Sequence, residues 1–142
     1  MILAKHAVAG AALASLTPDN PAIGFITGFL SHFVLDAIPH WDYDLESETE
    51  DKNDEMNNEI LINKKFLKDI FKKIGPDIAA GCLISYLIFC LYFKISIIAV
   101  LCGAAGGIVP DALQLVYMKW KHEPLKSLRR FHIWIHAPKR AR

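Results

Sequence analysis

The sequence predicts an all-α fold, an integral membrane bundle of about four helices, on three observations. The 142 residues are 53% hydrophobic, a high share for a soluble domain of this length, and the mean hydropathy is positive. The apolar residues gather in four runs, at about 2–16, 21–38, 77–93 and 95–118, and a bilayer core takes about 20 apolar residues per helix. The runs are apolar all round, without the polar stripe that a helix of a soluble bundle turns to water.

The length suits a single domain, 1–142. A formal charge of +1 conceals a segregation: residues 42–59 hold nine acids and one base, Lys52, whereas 119–142 hold eight bases and one acid, Glu123. Such blocks mark solvated loops and tails. Cys82, Cys90 and Cys102 lie inside apolar runs without CxxC spacing, so they read as small packing residues rather than disulfide or zinc-knuckle cysteines.

The first run, MILAKHAVAGAALASL, stops at the turn TPDNP. It shares a lysine, an apolar stretch and small residues with a signal peptide, but its charged region is thin and His6 interrupts it, so a retained helix is expected. It is short enough to tilt, re-enter or insert only in part. The second run leads into SHFVLDAIPHWDYD, where Pro39 marks a kink or a stop. Next, ESETEDKNDEMNNE reads as a flexible acidic loop within 42–59. Residues 60–74 alternate apolar positions with Lys64, Lys65, Lys68, Lys72 and Lys73, the pattern of a basic amphipathic helix lying on a membrane surface. Gly75-Pro76 is expected to break that helix before the third run. The fourth run is rich in glycine, at Gly103, Gly106 and Gly107, which suits close helix packing. Residues 119–142 read as a basic tail.

Four spans put the N-terminus, residues 39–76 and the tail on one side, with every lysine and arginine except Lys94. The positive-inside rule makes that side the cytoplasm. The expectation is a multi-pass protein of the inner (cytoplasmic) membrane with both termini cytoplasmic. Two segments also resemble two others: HAVAG aligns with DIAAG, and GFLSHFVLDAI with GAAGGIVPDAL. An internal repeat of that kind describes two helical hairpins related by a pseudo-twofold axis along the membrane normal. Chance likeness between alanine-rich helices explains it equally well.

Ionisable side chains in apolar helices are costly and mark functional sites. Here they are His6, His32, Asp36, Asp77 and Asp111, joined by His40 and Asp42 after Pro39 and by His132 and His136 in the tail. His32 and Asp36 stand at i, i+4, on one helix face, where they can share a metal or a proton. Starts of odd spans and ends of even spans meet at one membrane face, so this set converges there, and only His122 of the six histidines stands apart. Imidazole and carboxylate together suit a divalent ion, zinc or manganese, and the ligand number could serve two. The metal ligands are expected to be His32, Asp36, Asp77, Asp111 and His136, with His6, His40 and His132 as catalytic proton donors or further ligands. Each residue also has a plainer role open to it: Asp77 as a helix cap, Asp44 as part of the acidic loop, His132 and His136 as headgroup neighbours.

These residues resemble the bacterial membrane-bound metal-dependent hydrolases, an inner-membrane family of LexA-binding type. The resemblance is carried by His6 in HAVAG, by GFLSHFVLD with His32 and Asp36, by IVPD with Asp111, and by the His132-x-x-x-His136 pair. It covers about half of the chain, and S-H-x-x-x-D precedes P-D here, an order that differs from the family's. The resemblance implies a metal-dependent hydrolase using His6, His32, Asp36, Asp111, His132 and His136. The H-x-x-x-D pair is also similar to that of the zinc-dependent phospholipase C fold, which implies a phosphoester substrate with Arg129 and Arg130 as phosphate contacts. No GxSxG, P-loop or GxGxxG is present, so serine-nucleophile and nucleotide-loop chemistries have no support. The expected partners are membrane lipids and a small-molecule or lipid-like substrate, with no nucleic acid. A non-catalytic metal- or proton-binding membrane protein, transporter-like or structural, is the alternative.

Overall fold

The computed structural model describes residues 2–40, 44–51 and 53–136. Among the described residues, six α-helices carry the fold: α1 (Leu3–Ser15), α2 (Pro21–Asp36), α3 (Lys64–Asp69), α4 (Gly75–Ser85), α5 (Ile97–Lys119) and α6 (Leu125–Ile135). The predicted all-α class is what the described residues adopt. Helix α2 begins where the turn residues dictate: the Asn20 side chain accepts hydrogen bonds from the Ala22 and Ile23 amides at 2.9 and 3.3 Å, and Pro21 occupies the first turn, where its missing N–H costs nothing.

Three helices form the centre. α5 packs along both α1 and α2, and α4 lies against the other side of α1. Ala7, Ala11, Val100 and Ala104 fill the α1–α5 contact. Glycine makes that approach possible. A Cβ on either Gly10 or Gly28 would collide with the carbonyl oxygen of Gly103, so the backbones of α1 and α2 rest on the same point of α5. α4 does not pair with α5 as α1 pairs with α2, so the packing does not display the two-hairpin symmetry that the aligned segments suggest.

The large side chains point the other way. Ile23, Ile26, Leu30 and Val34 are exposed along one face of α2, while Gly24, Gly28, Ser31 and His32 are buried on its opposite face. Leu83, Ile84, Leu87, Ile88 and Leu91 are likewise exposed. Two helical stretches are long and apolar enough to cross a membrane, Lys64–Tyr92 and Ile97–Lys119; Pro21–Asp36 is a shorter apolar helix.

Three expectations change. Gly75-Pro76 does not break the chain: α3, a π turn at Ile70–Ile74, α4 and a second π turn at Tyr86–Tyr92 run on as one helix of 29 residues. The wide turn directly before Pro76 accommodates its ring and missing N–H, the usual place for a bend without a break. The acidic segment is not a bare loop. Glu48–Thr49 (β1) pairs antiparallel with Glu59–Ile60 (β2), Asp54 caps a short 3₁₀ turn at Glu55–Asn57, and buried Asp69 accepts hydrogen bonds from the Ser47 amide and hydroxyl at 2.9 and 2.7 Å. Lys68 and Lys73 turn to this segment, Lys68 to Glu46 at 2.6 Å and Lys73 to the Asp44 carbonyl at 2.7 Å, which removes them from a purely lipid-facing row. Third, the basic tail holds α6, which folds back against the ends of α2 and α5.

Candidate metal centre

Each side chain of the cluster arrives at one end of the central helices by a different route. His6 comes from the first turns of α1, His32 and Asp36 from the last turns of α2, and Asp111 from the lower half of α5 just after Pro110. His40 follows one turn beyond Asp36. His132 is delivered by α6, which is docked by the Phe131 ring against Phe33 (centroids 5.0 Å apart) and by Arg129. The Arg129 guanidinium donates to Gln114 Oε1 and to the Glu55 carbonyl, both at 3.1 Å. Arg129 is therefore engaged in holding α6 in place, not turned out as a phosphate contact, and Arg130 is exposed.

Asp36 is the hub. Its side chain is wholly buried, with Oδ2 at 2.5 Å from His132 Nε2 and 2.9 Å from His32 Nε2, and Oδ1 at 3.3 Å from His6 Nε2. His32 Nε2 also stands 3.4 Å from Asp111 Oδ1 and 3.3 Å from His132 Nε2. His32, Asp36, Asp111 and His132 each offer a donor atom, all within 4.8 Å of one another. The separations around His32 Nε2, 2.9–3.4 Å, are close to the edge of about 3.3 Å of a tetrahedron of nitrogen and oxygen ligands held about 2.0–2.2 Å from one ion.

The protonation pattern is set by the backbone. His32 Nδ1 lies 2.9 Å from the Gly107 carbonyl oxygen, an acceptor only, so Nδ1 carries the hydrogen and donates it. In the neutral ring Nε2 is then a lone pair, pointed at the Asp36 carboxylate. Two acceptors at 2.9 Å repel unless a proton or a cation lies between them. The orienting bond from the other ring nitrogen to a carbonyl is the arrangement that histidine ligands use. Burial pushes the His132 pKa down, against the pull of Asp36, which favours the neutral imidazole that a metal needs.

The structure thus brings His6, His32, His40, Asp36, Asp111, His132 and His136 to one place. Asp77 is not brought to the grouped donors; its carboxylate accepts a hydrogen bond from the Ala4 amide at 3.1 Å, tying α4 to the start of α1. His132, expected as a proton donor, stands within the four-residue donor set, and His136 stands instead with His40. His122 is exposed. Asp42 lies outside the described residues, as do Lys139, Arg140 and Arg142. The carbonyls of Gly107 and Ile38, which orient two of the imidazoles, had no signature in the sequence, because any residue type supplies a carbonyl.

The chain matches no family model, no curated protein and no solved structure.

Proposed function

We propose that the chain is a membrane-embedded metal-dependent hydrolase with its His/Asp centre at the cytoplasmic face, acting on a phosphoester or lipid-like substrate. The observation that carries the metal is the acceptor-to-acceptor approach of His32 Nε2 and Asp36 in a fully buried setting. A buried carboxylate facing an imidazole lone pair is costly, and a divalent ion between them relieves it. When bound, such an ion, zinc or manganese by its donors, lowers the pKa of a coordinated water towards neutrality and polarises an ester. His32, Asp36, Asp111 and His132 would hold it, and His6 stands ready as a proton carrier beside Asp36. The likeness of GFLSH and PD to the membrane-bound hydrolases points the same way.

The inverted helices support the membrane. Small residues inside and large apolar residues outside is the packing expected where lipid replaces water, and exposed apolar faces of this extent are unusual on a soluble monomer. With Lys94 at the far end of the bundle and the other lysines and arginines toward the cluster end of the sequence pattern, the positive-inside rule assigns the cluster to the cytoplasm.

A second reading, a non-catalytic metal or proton site, draws on the same burial. His32 and Asp36 are 0% exposed, and a proton on His32 Nε2 also relieves the contact. Metal analysis of purified protein with a panel of phosphoester and ester substrates decides. Turnover that depends on bound metal and disappears in Asp36→Asn supports the hydrolase; stoichiometric metal without turnover on any substrate overturns it.

A further inference from the structure

The two oxygens of Asp36 face two different groups of imidazoles. Oδ2 faces His32 and His132, as described. Oδ1 faces His40 Nε2 at 3.8 Å and His6 Nε2 at 3.3 Å. It is buried and accepts no hydrogen bond among the described residues. The His40 and His136 rings lie against each other at a tilt of 55°, with centroids 4.9 Å apart, and Asp36, His40 and His136 each offer a donor atom within 4.8 Å of the others. His40 repeats the arrangement of His32 in one respect: its Nδ1 donates to the Ile38 carbonyl at 2.7 Å, while its Nε2 is on the Asp36 side of the ring. The spacing explains why the groups stand side by side. His40 is four residues beyond Asp36, and His136 four beyond His132, so each element contributes to the second group one turn after the first.

We infer that the chain binds a second divalent cation between Asp36, His40 and His136, with the Asp36 carboxylate bridging the two ions. Paired ions in hydrolytic sites stand about 3.5–4 Å apart, a separation that one carboxylate spans. His40 and His136 are half-buried, unlike His32, so the second position is the one nearer to solvent. It fills and empties more readily than the first. The inference rests on the metal reading of the first group and not on catalysis.

The test is the metal content of the full-length chain in detergent, loaded with zinc and desalted, together with the electron paramagnetic resonance spectrum of the manganese-loaded protein. Wild type is expected to hold two ions per chain and to give an exchange-coupled manganese spectrum. His40→Ala and His136→Ala are expected to hold one ion with an uncoupled spectrum. His40→Gln and His136→Gln, which keep a similar volume, guard against misfolding and are expected to behave alike. One ion in wild type overturns the bridged pair, as do two ions that persist in every one of these variants. Two ions without turnover on any substrate uphold the pair while defeating the hydrolase, and one ion with turnover does the reverse.

Discussion

His132 Nε2 lies 2.5 Å from Asp36 Oδ2, across 96 positions of sequence. That contact closes the cluster: it joins the C-terminal helix to the end of α2 and adds a third imidazole to the carboxylate that His6 of α1 and His32 of α2 already face. Helix α6 is therefore part of the site, not an appendage to it.

Replacing Asp36 by Asn keeps the shape and removes the charge that both donor groups share. Zinc affinity is expected to fall by more than the roughly 10–100-fold typical of losing an outer partner of a metal ligand. Isothermal titration with zinc measures it. His122→Ala, at an exposed histidine away from the cluster, is expected to leave affinity unchanged. Equal affinities in wild type and Asp36→Asn would remove Asp36 from the site.

Gly103 sits where α1 crosses α5. A side chain there meets the Gly10 carbonyl oxygen at 2.6 Å and the Ala14 methyl, and neither backbone can yield alone because α2 rests on the same residue. Gly103→Leu is expected to destabilise the bundle by about 1–3 kcal/mol, the usual range for overpacking, read from unfolding in detergent. An exposed apolar exchange such as Leu87→Ile is expected to change little.

Much of this was legible in the sequence, and the reasons differ by residue. The runs of α1, α2 and α5 and the pairing of His32 with Asp36 follow from local spacing, so they could be read directly. The convergence of His6, Asp111 and His132 followed from a topological rule about which helix ends share a face. Three features were hidden. Gly75-Pro76 looks like a stop, but a π turn before it lets the helix continue, and no composition signal distinguishes the two. Helix α6 was obscured by its arginines: Arg129 reads as a solvated base, yet its guanidinium is buried against Gln114 and Glu55. Asp77 shares its residue type with the ligands and even aligns with His6, but its carboxylate is occupied by the Ala4 amide, a partner that only the tertiary packing reveals.

Asp69 anchors the acidic segment to the long helix. Asp69→Ala leaves the buried Ser47 amide and hydroxyl without their acceptor and Lys73 without its 3.0 Å partner. A cost of about 1–3 kcal/mol is expected for the stranded buried groups, felt locally. Limited proteolysis is expected to cut within 44–60 faster than in wild type, with Ser47→Ala intermediate. Exposed Glu46, held below its usual pKa by its hydrogen bond to Lys68, makes a natural control: Glu46→Gln is expected to have a smaller effect, since exposed ion pairs contribute little.

Metal binding is expected to stabilise the fold and to do so in a pH-dependent way. An ion at 100 times its dissociation constant adds about 2.7 kcal/mol, so chelation is expected to lower the unfolding temperature. The sign of the pH effect follows from the ligands. Imidazoles bind metal only when neutral, and an unperturbed histidine takes a proton near pH 6.5. Burial holds the His132 pKa below that value; its unfolded form gains a proton first as the pH falls, so its contribution to stability is present above about 6.5 and is lost progressively on acidification. Both effects run in one direction. Zinc-dependent stabilisation is expected to be large at pH 7.5 and to shrink steadily toward pH 5, measured as the difference in unfolding temperature with and without zinc. In Asp36→Asn that difference is expected to be small at every pH. A zinc effect that grew on acidification would show that the imidazoles are not the ligands.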